Sequence, residues 1–162
     1  MASRLVIFTS LPRVGGHSTL TEGLCRLLKP SFDHIEVWCK PMPAHGHSKA
    51  MTETLESMGV HVCMLADGHG KINAGAVVGA VRQARPHREE TVFFTLAMRH
   101  LSLALAAALR PAKSVYYHIT HDLNPGTIRR LNIYSKVFDR MVFICPATYR
   151  MFPGAMDSPR YT

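Results

Sequence analysis

No apolar run in this chain approaches the roughly 18 residues that a membrane-spanning helix needs. The short stretch Leu5 to Phe8 behind Met1-Ala2-Ser3-Arg4 has neither the apolar core nor the small-residue cleavage site of a secretory signal. The expected location is therefore cytoplasmic. Cysteine is scarce as well: Cys25, Cys39, Cys63 and Cys145 are the whole complement, with no C-x-x-C spacing. Each falls inside a periodic apolar segment, so they read as small buried hydrophobes in a reducing compartment rather than as disulfides. Acidic residues are short, 11 against 19 Lys and Arg, for a formal charge of +8. That imbalance favours an anionic partner, whether a phosphorylated ligand, a nucleic acid or an acidic membrane surface, and by itself does not choose among them.

What is present describes a folded α/β chain. Its 162 residues fit one domain that buries about two-thirds of the surface of its unfolded form. Apolar runs of strand length recur at Leu5 to Ser10, His34 to Cys39, Val60 to Leu65, Thr91 to Leu96, Ser114 to Ile119 and Arg140 to Cys145. Segments of helical spacing separate them, which predicts a Rossmann-like, doubly wound parallel sheet of about six strands. In the first helix, Leu20, Leu24, Leu27 and Leu28 form the apolar stripe, Thr19 and Glu22 a capping box, and Pro30 the stop. The second runs from Ser48 to Met58 and ends at Gly59. In the third, Ile72, Ala76, Ala80 and Val81 share a face beside Gly75 and Gly79, which would let the helix lie close to the sheet. The fourth spans Leu101 to Leu109. The fifth starts near Pro125 and turns Ile128, Leu131 and Val137 inward. Residues 1–152 make up the domain, and 153–162 read as a linker or disordered tail.

An open doubly wound sheet binds ligands outside the carboxyl ends of its strands, where the strand order reverses. The loop after the first strand, Ser10-Leu11-Pro12-Arg13-Val14-Gly15-Gly16-His17, is the first place to look. Gly15 and Gly16 allow close approach of an anion to the amides of the next helix, with Arg13 and His17 as added donors. The same pair serves equally well as a sharp turn, and both readings stand. It is not G-x-G-x-x-G. Asp67-Gly68-His69-Gly70-Lys71 has a Gly-Lys pair but fails the Walker pattern at Leu65 and Ile72, and reads as a flexible loop.

Ten histidines raise the question of a metal, and the spacing argues against one. His118 and His121 alternate across a strand, and His45 and His47 have no third ligand nearby, so surface histidines and no metal or other cofactor are expected. In Tyr116 to Gly126, "YYHITHDLNPG", His121 beside Asp122 at a strand end suits a hydroxyl contact or a general base; a turn-capping Asp122 is the other reading. Arg99 and His100 begin the fourth helix, as anion contacts or as a solvated helix start.

"LPRVGGHSTLTEGLCRLL", "VYYHITHDLNP" and "FDRMVFICPATYRMF" together resemble the N-terminal domain of retaining GT-B glycosyltransferases, the group 1 or family 4-like set. "FPGAMDSPRYT" is loosely similar to that family's interdomain hinge. The resemblance implies a transferase that takes a sugar from a nucleotide-sugar donor to a hydroxyl acceptor. It puts Arg13, Gly15, Gly16, His17 and His100 at the donor phosphate and acceptor, and His121 with Asp122 as catalytic residues in the acceptor cleft. The family's fourth-strand histidine is absent, since Thr95 and Leu96 stand there. No two glutamates carry the family's E-x-x-x-x-x-x-x-E spacing. The resemblance thus implies a truncated, acceptor-side half completed by a C-terminal nucleotide-binding domain or subunit. The basic surface would suit an acidic membrane carrying a lipid-linked acceptor. A different reading is a non-enzymatic Rossmann-like module that binds a phosphorylated ligand or a protein partner. Nucleic acid is the weakest of the partners, because Arg82, Arg85 and Arg88 cluster without a reader motif or stacking platform.

Overall fold

Strands covered on both faces carry near-continuous apolar sequence, and the six apolar runs are the six strands of one sheet. The computed structural model describes residues 3–13, 16–40, 47–67, 69–96, 100–118 and 124–144. In chain order the elements are β1 (Arg4–Thr9), α1 (Gly16–Leu28), β2 (His34–Cys39), α2 (Lys49–Ser57), β3 (His61–Met64), α3 (Ala74–Ala84), β4 (Thr91–Thr95), α4 (His100–Leu109), β5 (Lys113–His118), α5 (Pro125–Val137) and β6 (Arg140–Phe143). Every ladder is parallel, in the order β3-β2-β1-β4-β5-β6. This is the doubly wound Rossmann order, and the direction of winding reverses between β1 and β4.

Side-chain alternation divides the core between the two faces. Val6 and Phe8 join Trp38, Phe93 and Tyr116 under α3, α4 and α5. Leu5 and Ile7 join Ile35 and Val37 under α1 and α2. Local chemistry sets the helix starts. Ser48 caps α2 by accepting from the Met51 amide at 3.2 Å, Asn73 caps α3 through Ala76 at 3.1 Å, and Asn124 caps α5 through Thr127 at 2.9 Å. Each side-chain oxygen satisfies an amide that the helix cannot. Gly59 follows α2 with φ +77, a left-handed turn that suits glycine. On β2, the buried Glu36 carboxylate takes the Arg4 guanidinium and, at 2.9 Å, the Trp38 indole N–H. Among the described residues no helix is long and apolar enough to cross a membrane.

Several local expectations fail for identifiable reasons. Helix α1 begins at Gly16, so Thr19 lies inside it and cannot cap, while Glu22 instead pairs with Arg26 one turn on at 2.8 Å. Leu20, Leu24 and Leu28 of the expected stripe pack on the core beside the buried Ser18, Thr21 and Cys25, and only Leu27 lies on the far side, 73% exposed. Gly75 and Gly79 do not mediate close packing: Gly75 is exposed, and a Cβ at Gly79 would meet nothing within 4 Å. Ala80 and Ala84 make the close contact instead. Ile72 lies ahead of α3, bridged antiparallel to Ala66. In α5, Tyr134 and Leu131 are buried and Val137 is exposed. Beyond residue 68, which lies outside the described residues, the Asp67 carboxylate accepts the His69 and Lys71 amides at 3.0 and 2.9 Å.

Cys25 and Cys39 are buried as expected and Cys63 is half-buried; Cys145 lies outside the described residues. Burial, with the Glu22 carboxylate nearby, pushes the Cys25 thiol up to about 12. Burial likewise raises Cys39 to about 11, against a smaller lowering by its hydrogen bond to the Leu11 backbone. The thiolate is the nucleophile, so neither should react with a maleimide in the native protein at pH 8. Intact-mass labelling in urea, where both become reactive, is the check. The same shifts set a sign for stability. Above the ordinary value of 9.0 the unfolded chain releases thiol protons that the native chain keeps, so stability falls as pH rises further.

Candidate functional site

At the reversal of strand order, the carboxyl ends of β1 and β4 lie side by side, with Phe8 opposite Thr95 and the Leu96 amide on the Phe8 carbonyl at 3.0 Å. Two fully buried threonines, Thr9 and Thr95, end these strands. Beyond Thr9 the chain turns sharply. Ser18 Oγ donates to the Pro12 carbonyl at 2.8 Å, and Thr21 Oγ1 lies 2.7 Å from the His17 carbonyl and 3.4 Å from Thr9 Oγ1. The buried polar stripe of α1 therefore exists to fasten the loop between β1 and the helix. These hydroxyls share the inner face of α1 with Leu20, Leu24 and Leu28.

Gly16 is the first residue of α1, exposed, with nothing within 4 Å of a Cβ built on it. Its φ is outside the left-handed range, so the turn does not require glycine here. Helix α4 likewise begins at the exposed His100. Neither helix has an acidic residue in its first turn. Two helix amino termini, each with a partial positive charge, thus meet the carboxyl ends of adjacent strands. This arrangement can hold an anion.

Of the residues expected at the site, the structure brings Arg13, Gly16, His17 and His100 to this end of the sheet. Arg13 is exposed and its Nε makes a long hydrogen bond, 3.4 Å, to the His47 carbonyl, which ties the β1 loop to the entry of α2. His17 is half-buried in the first turn of α1. Gly15, Arg99, His121 and Asp122 lie outside the described residues. Strand β5, which leads toward the last two, neighbours β4.

The histidines are not all superficial. His34, His61, His69, His87 and His100 are exposed, whereas His118 is 1% exposed, with Nδ1 3.0 Å from the Tyr116 hydroxyl and its ring packed on Phe143. It is a core histidine in an aromatic cluster. Burial, with Tyr134 alongside, pushes the Tyr116 phenol up, so this hydroxyl stays protonated and available as a donor. His47 is structural too: Nε2 lies 2.8 Å from Thr52 Oγ1 and Nδ1 3.8 Å from Cys39 Sγ, and burial holds the ring toward its neutral form. Among the described residues no three His, Cys, Asp or Glu side chains converge as a metal site would require.

Sequence reasoning missed a cleft of about 360 Å³ lined by Lys40, Ile72, His100, Leu101, Leu103, Arg130, Ile133 and Tyr134. Of these only His100 stood out in the sequence. Lys40 follows β2 directly, with its amide on the Thr9 carbonyl at 3.0 Å. The rule that ligands gather at strand carboxyl ends could have flagged it; nothing local distinguishes Arg130 from Arg129.

No family model matches the sequence, and no curated protein sequence matches it. Solved structures do match in fold. Anabaena HepE in complex with UDP and glucose superposes with a TM-score of 0.64 at 15% identity, over 99% of this chain and 43% of that one. HepE with UDP and HepE with UDP-glucose give the same TM-score at 17% and 15% identity, each over 98% of this chain. At such identity the likeness establishes a shared fold. The chain spans less than half the length of HepE.

Proposed function

We propose that this chain is the acceptor-side domain of a nucleotide-sugar-dependent retaining glycosyltransferase of GT-B architecture. The observation that carries the reading is the pairing of two helix amino termini, at Gly16 and His100, over the β1–β4 reversal. The fold likeness to HepE, a protein crystallised with UDP, glucose and UDP-glucose, supports it. In this reading the amides from Gly15 and Gly16 onward face the donor diphosphate, with Arg13 and His17 beside them. His100 contacts the acceptor side, and His121 with Asp122 holds the acceptor hydroxyl and takes its proton. A C-terminal Rossmann-like domain or subunit grips the nucleotide. The work is done in the cytoplasm, with the basic surface drawn toward acidic membrane.

The division of labour is testable. The chain by itself should turn over no UDP-glucose, and should do so when combined with a C-terminal half found downstream in its gene or by co-purification. Sugar transfer is read by UDP release and product mass. Absence of turnover with every such half and a panel of nucleotide sugars would overturn the assignment.

A further inference from the structure

We infer that the end of β2 carries a binding site for a soft monovalent cation, Cu(I), built from the Cys39 thiolate, the His47 imidazole and the Met64 thioether. The site stands apart from the transfer reaction and rests on its own geometry. Cys39 Sγ lies 3.8 Å from His47 Nδ1. Bonds of about 2.3 Å to sulfur and about 2.0 Å to nitrogen, opened to a trigonal angle, would hold the two atoms about 3.7 Å apart. One ion therefore fits between them with neither side chain displaced. The imidazole is already turned for ligation. Thr52 Oγ1 donates to the Ser48 carbonyl at 3.3 Å, so it accepts from His47 Nε2 at 2.8 Å. That places the ring proton on Nε2 and leaves the lone pair on Nδ1, facing the sulfur. A hydrogen bond that fixes tautomer and ring plane in this way is the common support of a ligand histidine. Burial holds the ring toward its neutral form, the form that ligates.

The third donor comes from the neighbouring strand. Met64 is the register partner of Cys39 in the parallel β2–β3 ladder. Side chains at paired positions leave the same face of the sheet about 5 Å apart. Both residues belong to the core cluster under α1 and α2. Thiolate, imidazole and thioether together contain no oxygen donor, a set that suits Cu(I) and disfavours Mg(II), Ca(II) and Mn(II). Cys39 is fully buried and His47 half-buried, so the ring forms the side of the site nearer solvent. On binding, a Cu–S bond replaces the S–H bond and the thiol proton leaves to water. Copper stays Cu(I), and nothing is oxidised. The hydrogen bond from the Leu11 backbone favours the thiolate that results.

The probe is Cu(I) alone, titrated without oxygen into the whole chain against a coloured Cu(I) chelator. The chain should withhold Cu(I) from the chelator, and X-ray absorption at the copper edge should show both nitrogen and sulfur neighbours. Met64→Leu keeps the side-chain volume and removes the thioether, so it should weaken binding about tenfold with little change in the melting curve. Thr52→Val removes the oxygen that orients His47 and should also weaken binding about tenfold. Cys39→Ala should weaken it at least as much as either, whereas Cys25→Ala, in the same core cluster but outside the site, should bind as the parent does. Should the Cys39 variant fail to fold, the Met64 and Thr52 variants still decide the matter. Copper held by sulfur alone, or Met64→Leu and Thr52→Val chains that both bind as the parent does, would overturn the proposal and leave the Cys39 and His47 contact an S–H···N hydrogen bond only.

Discussion

A Gly16→Asp variant is expected to melt within about 1 kcal/mol of the parent and, under the function proposed above, to lose sugar transfer in the completed enzyme by on the order of a hundredfold. The two halves of this expectation come from different physics. Gly16 opens α1, has open space where a Cβ would go, and has no left-handed φ. An aspartate in the first turn of a helix complements the macrodipole, and replacing glycine within a helix removes an entropic cost. The fold therefore has no reason to demand glycine at this position. A donor diphosphate would have one, because a carboxylate there places like charge against the phosphates and fills the space through which they approach the amides. Thermal melting and UDP release, measured on the same preparation, separate the outcomes. A variant that transfers sugar normally would remove the β1 loop from the donor site. A variant that unfolds would contradict the local geometry itself.

Phe93→Ala should cost about 3–5 kcal/mol, a large part of the roughly 5–15 kcal/mol that holds a typical domain together. Phe93 is fully buried on β4 and touches two aromatic neighbours, Trp38 on one side and Phe138 on the other, each with ring centroids 6.4 Å away. It joins the β2 half of the core to the α5 half, so a cavity there cannot collapse from one side. Phe94, next in sequence but on the opposite face, is half-buried and meets only the Tyr117 ring among the described aromatic pairs, at 5.9 Å. Phe94→Ala is the internal control and should cost about half as much. Urea unfolding with a common slope would measure both; equal losses at the two positions would show that the two faces are not packed as described.

The strands were legible because burial on both faces leaves a continuous apolar run, as in Leu5 to Phe8, that no helix of this length needs. The start of α2 at Ser48, the start of α5 near Pro125 and the stop at Gly59 were legible for a related reason: each is a local signal at a helix end. Failures occurred where tertiary contacts chose among local options. Thr19 and Glu22 have capping spacing, yet the helix was extended back to Gly16 by side chains that bond the β1 loop. Leu20, Leu24 and Leu28 of the leucine stripe do pack on the core, and only Leu27 is displaced to solvent, because Thr21 and Cys25 take the face nearest the sheet, Thr21 close to Thr9. The site was legible only where one segment carried it. The β1 loop announced itself by its glycines, and His100 by its place before a helix. Lys40 and Arg130 come from elements far apart in sequence, and only the strand order brings them to one cleft.

The seam between β1 and β4 has a further consequence, in the order of chain closure. At its lower end Ser3 Oγ donates to Glu90 across 87 residues at 2.9 Å, and at its upper end stands the candidate donor site. Every strand pair on either side can form without this ladder, but the two halves of the sheet become one only when it closes, and long closures are slow to nucleate. The candidate ligand site thus stands over the ladder that closes the longest loop in the sheet. Occupying that joint with ligand would slow its reopening, and loosening it would dissolve the pocket before either half of the sheet comes apart.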